Sequence, residues 1–362
     1  MLKVMIVGCG MIAPKHIKAF LAKGEDCKIT ALANRDVTKA EALKKQFNLD
    51  CECVSDYRDG LLLCDIVSIC SPPASHKTIA CDAFSAKKHV ICEKPLAQSI
   101  EDCDIMIKTA SENGCVFSSV AQNRYDSDNA KVIEMLKSGE LGKVFHTDVH
   151  SHWYRSDAYY DMDWRGKWEI EGGGVTMNNA IHHIDLLLWA NGTPCEITSV
   201  FSNLNHKSSQ EEDISISILK YPNGSLATLQ CSMLHHGEKK EIFFQTEKGG
   251  VSIPFGVLCS RGLENGFNTD NPDGKTEIEK LFEKKEYNKP QKFDGQIANF
   301  VNAILGAEQL LITGEDGRNA LEMVIAIYKS AITGETVKFP LDRTDKYCTL
   351  KGRTEDAPRF NT

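Results

Sequence analysis

The chain has 362 residues, 42% of them apolar and 25% charged, with a net charge of −8. Such a composition is that of a globular chain with room for two domains, and its acidic balance argues against nucleic-acid or anionic-membrane partners. No apolar run approaches the length of a membrane span, and the first strand begins almost at Met1, leaving no place for a signal peptide, so the expected location is cytoplasmic. Ten of the 14 cysteines fall within the first 115 residues, many inside apolar segments (Cys70, Cys81, Cys92, Cys103), and none forms a Cys-x-x-Cys pair. They read as small packed hydrophobes, and no metal is expected.

Lys3–Val7 is a short apolar strand that breaks into Gly8-Cys9-Gly10-Met11-Ile12-Ala13, after which Ala13, Ile17, Phe20 and Leu21 recur at helical spacing. Strand, Gly-x-Gly-x-x-Ala, helix is the order a dinucleotide needs. Gly8 permits the tight turn, Gly10 lets a pyrophosphate approach bare backbone, and Ala13 keeps helix close to strand. The helix N-terminus then offers N–H groups and a positive dipole end to the phosphates.

Strand and helix alternate onward: strand Lys28–Asn34, helix Thr38–Phe47, strand Ile66–Cys70, helix Ser75–Phe84, strand His89–Cys92, helix Ile100–Glu112 and a sixth strand Val116–Ala121. The alternation predicts a doubly wound parallel sheet whose ligand lies beyond the carboxyl ends of its strands. The segments Gly8–Ala13, Ser71–His76 and Glu93-Lys94-Pro95 all follow strand ends and are expected to line one crevice. After Asn123 the pattern changes. A helix (Asn129–Ser138) leads to long alternating segments at Lys143–His152, Ile197–Asn203, Asp213–Tyr221, Ser225–Ser232 and Glu241–Thr246, which predict a large, mostly antiparallel open sheet in an α+β domain. Amphipathic helices follow around Ile297–Leu305 and Asp316–Ala331. The expected division is a dinucleotide-binding domain over 1–122 and a substrate-binding and oligomerisation domain over 123–362.

Three further motifs accompany the fingerprint: Glu93-Lys94-Pro95, the triplet Gly172-Gly173-Gly174 leading to Asn178-x-x-x-His182-x-x-Asp185, and the tail Gln296–Gly306, Thr313–Gly317 and Ser330–Pro340. In combination they resemble the glucose–fructose oxidoreductase, inositol dehydrogenase and rhizopine-catabolism (Gfo/Idh/MocA) family over about residues 1–340. The resemblance implies a Rossmann domain followed by an α/β domain whose open sheet commonly joins protomers. It also implies nicotinamide-dependent oxidation or reduction of a sugar, glycoside or cyclitol hydroxyl, C3 of a glucoside being one candidate position.

Candidate residues follow from both readings. Lys94, at the crevice edge before a proline, would have its pKa lowered by desolvation and by an oxidised nicotinamide, which suits hydroxyl binding or proton relay. In a helix over Val175–Trp189, Asn178, His182 and Asp185 share one face, and His182 is the natural general base, with His183 pointing about 100° away. Asn178 stands where the family has an aspartate. It can orient a sugar but cannot hold negative charge. The expected catalytic set is therefore Lys94, His182 and Asn178. The cofactor is expected at Gly8, Gly10, Met11, Ile12, Asn34, Arg35, Ser71, Pro72, His76, Glu93, Lys94 and Gln122. NAD is favoured by Asn34 at the end of strand two, where an acid usually takes the ribose hydroxyl; Arg35 leaves NADP as the alternative.

Six aromatics crowd Ser151–Glu171, against 8% in the whole chain. They predict either packing or a platform for a sugar ring or aglycone, with substrate contacts at Arg124, Tyr125, Trp153, Arg155, Trp164, Asn178, His182 and Asp185 beside Lys94. A homo-oligomer formed through the open sheet is expected. The competing readings are a reductase making a deoxy- or anhydro-sugar, and a non-catalytic dinucleotide-binding regulator of the same fold.

Overall fold

The computed structural model describes residues 1–162 and 165–361. They form two compact units: Met1–Tyr125 with Lys289–Leu321, and Asp126–Asn288 with the chain from Glu322 onward. The return of 289–321 to the first unit differs from a single break at 122/123. Its cause is the helix Lys292–Ile304, whose buried Ile297, Phe300 and Val301 join the apolar cluster that contains Ile17 and Phe20 of the first helix.

In the first unit, strands β1 (Leu2–Val7), β2 (Cys27–Ala33), β3 (Glu52–Val54), β4 (Ile66–Ile69), β5 (His89–Cys92) and β6 (Phe117–Ser119) form a six-stranded sheet in the order 3-2-1-4-5-6. Every pairing in it is parallel. With helices on both faces its central strands bury both sides, which is why Val4–Val7 and Ile66–Ile69 are continuous apolar runs broken only by Ser68. β3 escapes the sequence pattern because it is three residues long and only half buried. Helix α1 (Ala13–Leu21) starts on Ala13-Pro14 directly after the glycine turn, and α2 (Val37–Gln46) is capped by Asp36, whose carboxylate accepts the Thr38 N–H.

The second unit carries an eight-stranded mixed sheet. Its strands are β7 (Val144–His152), β8 (Glu196–Ser202), β9 (Ile214–Lys220), β10 (Leu226–Ser232), β11 (Lys240–Thr246), β12 (Gly250–Ile253), β13 (Gly256–Leu258) and, past a separate two-stranded hairpin, a short strand at Val337–Lys338. All its pairings are antiparallel except β7 with β10. One face buries Val149, Leu219, Leu229, Ile242 and Phe244 completely, whereas the other leaves Val200, Ile216, Ile218 and Leu226 between 46% and 65% exposed. All fourteen cysteines are unpaired. Among the described residues no helix is long and apolar enough to cross a membrane.

Candidate active site

In the first unit the glycine turn is shaped by what passes behind it. Gly8 has φ +96°, and a Cβ there would lie 2.6 Å from the Ser71 backbone nitrogen. No other residue fits. Gly10 is the opposite case: a Cβ would meet nothing within 4 Å, so the space over this turn is open to a ligand. Asn34 closes the neighbouring turn, its Oδ1 accepting the Cys9 N–H at 3.0 Å and its Nδ2 donating to the Asp36 carbonyl at 2.8 Å. Met11 and Arg35 are exposed, Ile12 and Ser71 half-buried and Pro72 exposed, all around the ends of β1, β2 and β4.

His76 ties two of these loops together. Its buried ring places Nε2 2.7 Å from the Ser71 carbonyl and Nδ1 3.1 Å from that of Pro95, and burial lowers its pKa. The ring thus holds the cradle's wall instead of offering itself to a cofactor, as the sequence suggested. Glu93 is turned inward as well, one carboxylate oxygen on His16 Nε2 at 3.0 Å and the other accepting the Lys94 N–H at 3.1 Å. Lys94 is half-buried at the mouth of this loop. Gln122 opens the turn after β6, its Oε1 buried without a hydrogen-bond partner.

In the second unit the glycine triplet and the following helix form one device. From Glu171 to Leu187 every residue is buried except Asn178 and His182, which are half-exposed. The first turn, Thr176–Ala180, is wound wide as a π-turn before the regular helix Ile181–Asn191 begins. That widening breaks the uniform phase assumed from the sequence. Asp185 is 5% exposed and does not share the open edge with Asn178 and His182. Single π-turns recur at functional sites. The Asn178 amide nitrogen donates to the Gly173 carbonyl at 2.7 Å, with that of Gly174 3.2 Å away, so it fixes the turn. His183, one residue on, is a core histidine, its Nδ1 2.9 Å from Ser151 Oγ; burial, with Lys240 and His152 nearby, lowers its pKa to about 4.

Glu212, which sequence reasoning missed, caps this helix. Its carboxylate accepts the N–H groups of Gly174 (2.9 Å) and Thr176 (3.0 Å) and the hydroxyl of Tyr328 (2.9 Å), and that hydroxyl accepts the Met177 N–H. The glycines are demanded here: a Cβ on Gly174 would fall inside the Glu212 carbonyl, and one on Gly173 inside the Tyr328 hydroxyl. Burial raises the Glu212 carboxyl to about 7 against these stabilising bonds. A raised carboxyl holds its proton in the folded state where the unfolded chain has lost it. Stability from this group is therefore greatest below about 4.5 and falls as pH climbs to about 7. Glu212→Gln is expected to lower the melting temperature overall yet flatten its decline between pH 5 and 7.5; a decline as steep as in the unaltered chain would refute the assignment.

The remaining expected substrate residues scatter. Tyr125 is 1% exposed in a small core with Ala121 and Ile312, so it packs instead of facing a substrate. Arg124 is 5% exposed and pairs with Asp316 at 3.0 Å. Within the aromatic segment, Trp168 and Tyr160 are core, as the packing alternative expects. Trp153 is half-buried with the Lys240 ammonium 3.6 Å over its ring, and Arg155 pairs with Glu238 at 2.9 Å. Trp164 lies outside the described residues. No group of three or more metal-ligating side chains is gathered among the described residues.

The chain is 24% identical over 359 residues to D-glucoside 3-dehydrogenase of Escherichia coli, covering 93% of this chain and 97% of that protein. It is 27% identical to inositol 2-dehydrogenase of Salmonella typhimurium over 191 residues, 52% of this chain and 54% of that one. The crystal structure of the WlbA dehydrogenase from Bordetella pertussis in complex with NADH and UDP-GlcNAcA superposes with a TM-score of 0.79 at 26% identity, covering 94% of this chain and 99% of that one. Residues 2–121 match the NAD-binding Rossmann fold of an oxidoreductase family and residues 133–339 match that family's C-terminal alpha/beta domain: the chain belongs to the GFO/IDH/MocA oxidoreductases.

Proposed function

We propose that this enzyme oxidises a secondary ring hydroxyl of a sugar, glycoside or cyclitol, with C3 of a glucoside as the leading candidate position. The observation that carries the reading is that Asn178 and His182 alone are half-exposed in an otherwise buried stretch from Glu171 to Leu187. Bound NAD supplies the hydride acceptor, and the open space at Gly10 fits its pyrophosphate. His182 takes the hydroxyl proton as the carbon–hydrogen bond is lost, leaving a ketone. Lys94 steadies the developing alkoxide by charge, and Asn178 orients the ring through the turn it fixes. The similarity to D-glucoside 3-dehydrogenase over 93% of the chain supports the substrate class. A panel of methyl glucosides, hexoses, inositols and sugar acids with NAD, followed at 340 nm, tests it. Turnover of a glucoside or inositol is expected. Bound cofactor that no polyol reduces would instead favour a regulator, and turnover of only an anhydro-sugar would favour the reductase reading.

A homo-oligomer is part of the proposal. Val200, Ile216 and Ile218 are cross-strand neighbours on the exposed face of β8 and β9, an apolar patch of the kind that a second copy covers. Light scattering at micromolar concentration should give a dimer or larger, and Ile216→Lys with Ile218→Lys should shift it toward monomer. A monomeric parent protein would sink the idea.

A further inference from the structure

The sheet of the first unit contains a buried polar chain that the reading so far leaves unused. His16 lies on the inner face of α1, in the apolar stripe with Ala13, Ile17 and Phe20, and its side chain is fully buried. Its Nδ1 is 2.8 Å from Ser68 Oγ, in the middle of β4, and its Nε2 is 3.0 Å from Glu93 Oε1, at the end of β5. Glu93 Oε2 in turn accepts the backbone N–H of Lys94. The ring of Phe293 closes over the imidazole at 5.1 Å. His16, Ser68 and Glu93, from three separate elements, therefore link the helix behind the glycine cradle to the loop that carries Lys94.

An isolated buried carboxylate would be costly, and an isolated buried imidazolium equally so; hydrogen-bonded to each other they are tolerated. Both groups move accordingly. Burial alone would raise the Glu93 carboxyl, but the hydrogen bond from His16 and the charges of His16 and Lys94 hold it below its ordinary value. Burial alone would lower His16, but Cys70 and Glu93 beside it raise it to about 10. With both ring nitrogens protonated, each has an acceptor: Ser68 Oγ for one, Glu93 for the other. The carboxylate then has a fixed orientation, and its second oxygen sets where the Lys94 backbone begins.

We propose that His16 is a positioning residue for Lys94: it pins the Glu93 carboxylate whose far oxygen holds the Lys94 N–H, so that the cofactor helix and the catalytic loop are aligned as one piece. This rests on the role given to Lys94 above. Its chemistry is specific, because the pin requires a donor aimed at Glu93 and not merely a ring of the right size. Glutamine can supply such a donor; phenylalanine fills the space without one.

The experiment compares His16→Phe, His16→Gln and the gentler Ser68→Ala with the unaltered enzyme and with Lys94→Met. Three readouts are taken: nitrogen NMR of histidine-labelled protein, hydrogen exchange at the Lys94 amide, and turnover of methyl β-D-glucoside or another polyol reduced in the panel. The NMR of unaltered protein should show one histidine doubly protonated to above pH 8, lost on Glu93→Gln. In His16→Phe the Lys94 amide should exchange about tenfold faster or more while the NADH dissociation constant stays within about threefold. Turnover should fall about 10- to 100-fold, the scale of a small misplacement of a catalytic group. His16→Gln should recover most of both losses, and Ser68→Ala should lie between. Unchanged exchange at Lys94 overturns the proposal, as does equal loss in the Gln and Phe variants. Should Lys94→Met keep full turnover while the NMR and exchange signatures hold, the role given to Lys94 fails and the pin itself stands.

Discussion

Replacing His182 by alanine is expected to lower turnover by about 10²–10⁴-fold, the usual cost of losing a general base, while leaving NADH binding intact. His183→Ala should do something quite different. Its imidazole is buried against Ser151 Oγ and has its pKa lowered to about 4 by burial with Lys240 and His152 nearby, so near neutral pH it is uncharged and held in the core. Deleting it removes a buried hydrogen bond and leaves a void, a stability loss of about 1–3 kcal/mol from the unpaired partner alone. Steady-state turnover at saturating polyol, read beside melting temperature, separates the two. A His182→Ala enzyme near full rate with a His183→Ala enzyme that is folded but dead would move the base by one residue.

That contrast also marks what the sequence made legible. The parallel sheet could be read because its strands are nearly pure apolar runs separated by turns, and the glycine fingerprint sits where a strand becomes a helix. Helical phase set His182 and His183 on different faces, and of the two it is His183 that is buried. Asp185 could not be placed, since the phase was drawn through a regular helix and the first turn is a π-turn held open by Glu212 and Tyr328. No local pattern announces that turn: Glu212 lies 36 residues from Thr176 and Tyr328 lies 151 residues from Met177. His16 and Ser68 left a faint signal, a histidine and a hydroxyl each set inside an apolar stripe. A buried polar group must have a partner, yet nothing in the sequence says which. The segment 289–321 packs with the first unit for a similar reason: an amphipathic stripe declares that it packs but not on what.

Gly10→Val is expected to abolish nucleotide binding in a protein that still folds, and Gly8→Ala to do the reverse order of damage. At Gly10 a Cβ meets no protein atom within 4 Å, so a valine costs the fold little and projects into the space that a pyrophosphate needs for close approach to backbone N–H groups. At Gly8 the backbone sits at φ +96°, where a side chain is strained. The Cβ would also press against the backbone of Cys70 and Ser71 at 2.6 to 2.8 Å. That contact cannot be relieved by turning a side chain, so β1 and β4 must shift apart where the cradle begins. NADH titration followed by nicotinamide fluorescence, together with thermal melting, distinguishes the pair. Gly10→Val should melt within a few degrees of the unaltered protein and show no saturable NADH signal. Gly8→Ala should melt markedly lower, with binding weakened in proportion to what remains folded. A Gly10→Val protein that binds NADH with unchanged affinity would remove the cradle from this turn, whatever the fold around it.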